Sequence, residues 1–89
     1  MATVYIPSLV RDLTGGADPV TVAGGNVREL LERLETKYPG MRRRLCDGEQ
    51  LRRGLAVVVD GQWSAAGLEQ VVGPASEVHF VPAIAGGAG

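Results

Sequence analysis

Asn26-Val27-Arg28-Glu29-Leu30-Leu31-Glu32-Arg33-Leu34-Glu35-Thr36-Lys37-Tyr38, followed by Pro39-Gly40, is the segment whose reading decides the fold. Val27, Leu30, Leu31, Leu34 and Tyr38 fall at i, i+3, i+4, i+7 and i+11, which is one apolar stripe along a helix. Glu32, Arg33, Glu35 and Lys37 fill the remaining faces. Asn26 is a good cap for the free N–H groups of the first turn. Glu29 stands three residues on, as a capping box requires. Pro39-Gly40 stops the helix. One amphipathic helix must bury its stripe against something, and the sequence on either side supplies strands.

Upstream, Thr3-Val4-Tyr5-Ile6-Pro7 reads as a strand with Val4 and Ile6 on one face and Tyr5 on the other. Pro7 has no N–H to give a ladder and marks its end. Leu9 to Leu13 and the turn residues Thr14-Gly15-Gly16-Ala17-Asp18-Pro19 lead to a second strand, Val20-Thr21-Val22-Ala23, and the pair predicts a β-hairpin. Downstream, Met41 to Arg53 predicts a short helical turn and a loop. Leu55-Ala56-Val57-Val58-Val59 before Asp60-Gly61 is apolar enough for a central strand with both faces partly covered. Trp63 to Gly73 reads as short and irregular. Glu77-Val78-His79-Phe80-Val81-Pro82 is the last strand. It places Val78 and Phe80 on one face, and Glu77, His79 and Val81 on the other. The order predicts an α+β fold of the β-grasp (ubiquitin-like) kind, with a four- or five-stranded mixed sheet covered by one main helix. Residues 1–83 form the domain, and residues 84–89 are expected to be a flexible Gly-rich tail.

The bulk numbers narrow the function. The chain has 89 residues, 45% hydrophobic and 21% charged, with net charge −1. That is one domain with a thin core. The balance lacks the basic field of a nucleic-acid or anionic-membrane binder. Cys46 and His79 are the only residues of their kinds, so neither a disulfide framework nor a cysteine zinc cluster can form within the chain. No apolar run approaches the roughly 18–20 residues of a membrane span. The opening residues lack the order of a secretory signal, so the expected compartment is the cytoplasm. Partners in the form of nucleic acid or membrane are not expected, and no metal or bound cofactor is implied.

The ending is the distinctive part: an apolar strand, Pro82, the small linker Ala83-Ile84-Ala85, then Gly86-Gly87 and Ala88-Gly89. It stands with three other segments. These are Val4-Tyr5-Ile6-Pro7 with Leu9-Val10-Arg11 and Thr14-Gly15-Gly16, the helix Val27 to Tyr38 with Pro39-Gly40, and Val57-Val58-Val59-Asp60-Gly61. Together they resemble the ubiquitin-like sulfur carriers of the MoaD/ThiS family, and among them the CysO type. The resemblance spans nearly the whole chain.

It implies a carrier and not an enzyme. A ubiquitin-activating-type enzyme adenylates the terminal glycine carboxyl with ATP. A sulfur donor then displaces AMP to leave a thiocarboxylate, and the sulfur passes to an acceptor bound by another enzyme. On that pattern Gly87 is the modified residue, while Gly86 and Ala85 let the tail thread a narrow channel. Ala88 and Gly89 lie beyond the expected reactive end, so the resemblance implies their removal, with a JAMM-type metallopeptidase as the expected agent. Activation at Gly89 is the alternative. The CysO-like details favour cysteine formation, with a PLP-dependent cysteine synthase as the sulfur-accepting partner; specialised-metabolite sulfur insertion fits the residues equally. Three other readings stay open: a small subunit of molybdopterin synthase, a ubiquitin-like protein modifier, and a β-grasp interaction module with an inert tail.

The remaining candidates carry two readings each. Tyr5, Val81, Pro82 and Ile84 form a docking surface beside the tail, or merely pack on a neighbouring loop. Arg42, Arg43, Arg44, Arg52 and Arg53 make a partner patch or a solvated loop face, their charge partly offset by Glu29, Glu32 and Glu35. Cys46 is a small, partly buried apolar residue, with room for some exposure before the Asp47-Gly48 turn, or a reactive thiol. His79 faces solvent or touches a partner.

Overall fold

Helix α1 spans Val27–Lys37 in the computed structural model, which describes residues 1–83. Its start is built from the residues that predict it. The Asn26 Oδ1 accepts the Glu29 N–H at 2.9 Å. Glu29 reaches back one residue further than a capping box requires and accepts the Gly25 N–H at 2.7 Å. The reason lies in the neighbouring chain. Residues 25–27 run beside residues 70–72, with Val27 N donating to the Gln70 O and Val72 N to the Gly25 O, both at 3.0 Å. Val27, Leu30, Leu31 and Leu34 are buried and Tyr38 half-buried, so the apolar stripe is the buried face. Each of the four buried side chains contributes roughly 1.5–3 kcal/mol by leaving water.

That face packs on a five-stranded sheet. β1 is Ala2–Tyr5, β2 Val20–Val22, β5 Leu55–Val59, β6 Gln62–Trp63 and β7 Glu77–Pro82. Their order is β2-β1-β7-β5-β6. β1 pairs parallel with β7 and every other pair is antiparallel. This is the expected β-grasp arrangement. β5 is interior, as its apolar run requires, but the middle position belongs to β7. Val4, Val20, Val22, Val57, Val59, Val78 and Phe80 bury their side chains on one face beneath α1.

Two segments hold more structure than their sequence suggests. Helix α2, Met41–Leu45, is the expected turn, but the loop after it contains a small hairpin of β3, Cys46–Asp47, and β4, Gln50–Leu51. Trp63 belongs to β6, which returns along β5 through Asp60-Gly61, with φ of 52° and 84°. Left-handed conformation at both central positions is what a tight hairpin turn needs.

The helix acids do little of the charge balancing expected of them. Glu35 turns both carboxylate oxygens to backbone, accepting from Gly40 N at 3.1 Å and Arg42 N at 2.8 Å. Among the described residues Glu29 and Glu32 form no ion pair. The pairing acids stand off α1: Asp12 holds Arg44 at 2.6 Å, Glu49 reaches Arg42 at 3.6 Å, and Glu49 and Glu69 clasp Arg28.

Candidate functional site

β7 carries the chain through the centre of the sheet toward residue 84. Its last rungs are Phe80 opposite Val57, Val81 opposite Ala56 and Pro82 opposite Leu55. The Ala83 N–H then donates to the Gly54 carbonyl at 2.8 Å, which ties the root of the tail to the turn before β5. Ile84, Ala85, Gly86, Gly87, Ala88 and Gly89 lie outside the described residues, so the expected reactive and threading positions carry no geometry.

Helix α1 covers only one face of the sheet. The other face is assembled from residues of alternate register. Tyr5 on β1 stands beside His79 on β7, and the two rings stack in parallel, 4.2 Å apart with 4° between their planes. His79 faces Val58 on β5, and Val58 faces Trp63 on β6. One rung therefore crosses four strands as Tyr5, His79, Val58 and Trp63. Val81 and Ala56 form the next rung toward the tail. Trp63 is 64% exposed, although a tryptophan normally gains by burial.

The expected docking residues thus divide. Tyr5 and Val81 share the open face, with His79 between them in register. Pro82 falls on the alternate parity, with Val78 and Phe80, yet is exposed because it stands at the end of the strand. Sequence reasoning placed His79 on the outward set but missed Val58 and Trp63. The Asp60-Gly61 pair was the available signal, since it marks a hairpin that folds Trp63 back beside Val58.

Cys46 is free and buried, opposite Leu51 in the small hairpin. The small apolar reading is the one its burial supports, and the Asp47-Gly48 turn does not expose it. Burial pushes its thiol up, away from the thiolate a nucleophile needs. Among the described residues no cluster of His, Cys, Asp and Glu suits a metal. What the body offers is a platform: an uncovered, partly aromatic sheet face leading to the root of a glycine-rich terminus.

The ThiS family model matches residues 4–87. The chain belongs to the ThiS family. The sulfur carrier protein CysO of Mycobacterium tuberculosis is 31% identical to this ThiS-family chain over 90 aligned residues, covering 96% of it and 97% of the relative. Among solved structures, the BexX/CysO complex of Amycolatopsis orientalis superposes with a TM-score of 0.85 at 34% identity, covering 97% of this chain and 99% of the other. Mycobacterium tuberculosis CysO gives a TM-score of 0.85 at 28% identity, covering 94% and 100%. By family this ThiS chain is a sulfur carrier of the CysO type, a co-substrate and not a catalyst. The family match takes in both the body and the chain as far as Gly87.

Proposed function

We propose that Gly87 is the residue that carries the sulfur, once it is the last residue of the chain. The matched segment runs from residue 4 to residue 87 and so ends on the diglycine, leaving Ala88 and Gly89 outside it. That observation carries the reading. A carboxylate is a poor electrophile because its oxygen leaves badly. An oxygen of the Gly87 carboxylate attacks the α-phosphorus of ATP and pyrophosphate departs, which makes the acyl adenylate. Sulfide sulfur then adds to the carbonyl carbon and AMP leaves, so the product is a thiocarboxylate. Glycine suits both steps, since no Cβ hinders the nucleophile or the channel. ATP is bound by an adenylating partner of the ubiquitin-activating type, and a second partner accepts the sulfur in cysteine or other small-molecule synthesis.

While Ala88-Gly89 remains, the Gly87 carbonyl is an amide and has no carboxylate oxygen to adenylate. A peptidase that exposes Gly87 is therefore part of this reading, and a JAMM-type metallopeptidase is the proposed agent. The open face bearing Tyr5 and Val81 docks the partner that takes the tail, with Pro82 at its margin. A CysO relative solved in complex with BexX supports docking of a folded partner as a mode open to such a body. The experiment compares the full chain with one ending at Gly87. Each is incubated with an adenylating enzyme of this type, ATP and sulfide, and its intact mass is followed. The shorter chain exchanges one oxygen for sulfur and the full chain does not. Equal conversion of the full chain, with the sulfur located on Gly89, overturns the trimming step.

A further inference from the structure

Five arginines follow Gly40, and they do not share one fate. Arg42 and Arg44 are half-buried and paired with Glu49 and Asp12. Arg43, Arg52 and Arg53 are exposed and have no acidic partner among the described residues. Arg52 is nevertheless held in place: its Nε and Nη2 donate to the Arg43 carbonyl at 3.1 and 2.9 Å, and its own N–H donates to the Leu45 carbonyl at 2.9 Å. This pins the α2 end to the β4 end. Arg43 and Arg52 line one open cleft, and Arg53 lines the hollow beside it. Two acids face the same space. Glu35 is committed to backbone N–H groups, which leaves Asp47 to oppose three cations.

The position of this group gives it meaning. Arg52 and Arg53 immediately precede Gly54, whose carbonyl receives the Ala83 N–H at the root of the tail. A partner that draws the tail in as far as Ala83 reaches the turn that directly follows Arg52 and Arg53, and Arg52 is tied in turn to Arg43. From the reading that Gly87 is adenylated, and resting on it, we infer that Arg43, Arg52 and Arg53 form a basic collar that docks a carboxylate-lined rim around the tail channel of the adenylating partner.

Electrostatics selects that partner over the sulfur acceptor. Adenylation brings the anionic end of the tail into a site that also holds a nucleoside triphosphate, so like charges meet at short range. The attraction that draws the carrier in must come from elsewhere on its surface. Cations at the tail root and acids at the channel mouth supply it, and they act on encounter more than on chemistry. A sulfur acceptor needs no triphosphate beside the tail, so the triphosphate repulsion belongs to the activation step.

The test uses the adenylating enzyme that converts the chain ending at Gly87, with pyrophosphate exchange read against carrier concentration. Arg52→Glu combined with Arg53→Glu raises KM by roughly tenfold at low salt and leaves kcat within about twofold, and the gap shrinks as salt rises. The double lysine variant, R52K with R53K, stays near the parent because charge is what is read. Arg33→Glu, on the exposed side of α1, reverses one charge outside the collar and leaves KM within about twofold, against which Arg52→Glu alone, also one reversal, is compared. Circular dichroism melts confirm that each variant is folded. An unchanged KM for the folded double Glu variant overturns the collar while leaving the carrier reading intact. So does a loss confined to sulfur delivery after normal activation. Failure of every adenylating enzyme tried to convert the parent tail overturns the carrier reading itself, and the collar with it.

Discussion

Asp60 is the one residue other than glycine among the described residues whose backbone takes positive φ, at 52°. Aspartate tolerates that region better than most side chains, and here its carboxylate is also used. One oxygen accepts the Glu77 N–H at 2.9 Å and the other the Ser76 hydroxyl at 2.8 Å, while its own N–H donates to the Glu77 carbonyl at 2.9 Å. The turn after β5 is thereby fastened to the start of β7, the strand that leads to the tail. The Glu77 N–H, then the Ser76 hydroxyl, hold the Asp60 carboxyl below its ordinary range. A depressed carboxylate stabilises the fold above the unfolded value of about 4, and that contribution is lost as pH falls through the folded value. Asp60→Ala therefore lowers the urea midpoint at pH 7, and the gap to the parent narrows below about pH 4. A gap that stays constant to strong acid contradicts this account. Glu35 is lowered in the same direction, by the Arg42 and Gly40 N–H groups, and adds to the same acid limb.

Helix α1 was legible because three signals agree on it: the stripe, the Asn26 cap and the Pro39-Gly40 stop. β1 and β7 were legible from alternation, since Val4 against Tyr5 and Val78 against His79 each place one residue on the core face, and β5 from its apolar run. The small hairpin from Cys46 to Leu51 was not. Two-residue strands carry no period to read, and its register rests on Cys46 and Leu51 meeting across a turn. Nor did the sequence reveal which arginines would find acids: Asp12 comes from a distant turn, and Glu49 from the turn of the small hairpin that carries no period to read. The open face was half legible: the alternation gave Tyr5, His79 and Val81, but Trp63 joins them only once β6 is folded back. The N-terminus of α1 offers two checks. Asn26→Ala removes the acceptor of the Glu29 N–H and costs about 1 kcal/mol by urea denaturation. Gly24→Ala sets a Cβ at 2.9 Å from the Leu30 Cδ2 and 3.2 Å from the Leu30 backbone N. Leu30 is fully buried and cannot retreat freely, so this change costs about 1–3 kcal/mol. A neutral Gly24→Ala would mean that the approach to α1 gives way more easily than its contacts indicate.

On the reading that Gly87 carries the sulfur, the reactive end and the packed core occupy different stretches of one chain. The core residues run from Ala2 to Phe80. β7 completes its pairing with β5 at Pro82, and the tie to Gly54 is made by Ala83. A chain ending at Ala83 retains every strand pairing and buried side chain of the body. Its unfolding free energy therefore stays within about 0.5 kcal/mol of the full chain, as for changes outside the packed core. The same chain lacks Gly87 and gains no sulfur from an adenylating enzyme, ATP and sulfide. Gly87→Val in a chain that ends at residue 87 gives a finer separation. The body unfolds at the parent urea midpoint, while a β-branched side chain crowds the carbonyl carbon that sulfide must reach and the channel it must pass. Thiocarboxylate formation, read by intact mass, falls at least tenfold, the scale of about 1.4 kcal/mol in a barrier. Conversion of the Gly87→Val chain at the parent rate would place the reactive carbonyl elsewhere. Early unfolding of that variant would show that the terminus supports the body as well as carrying the sulfur.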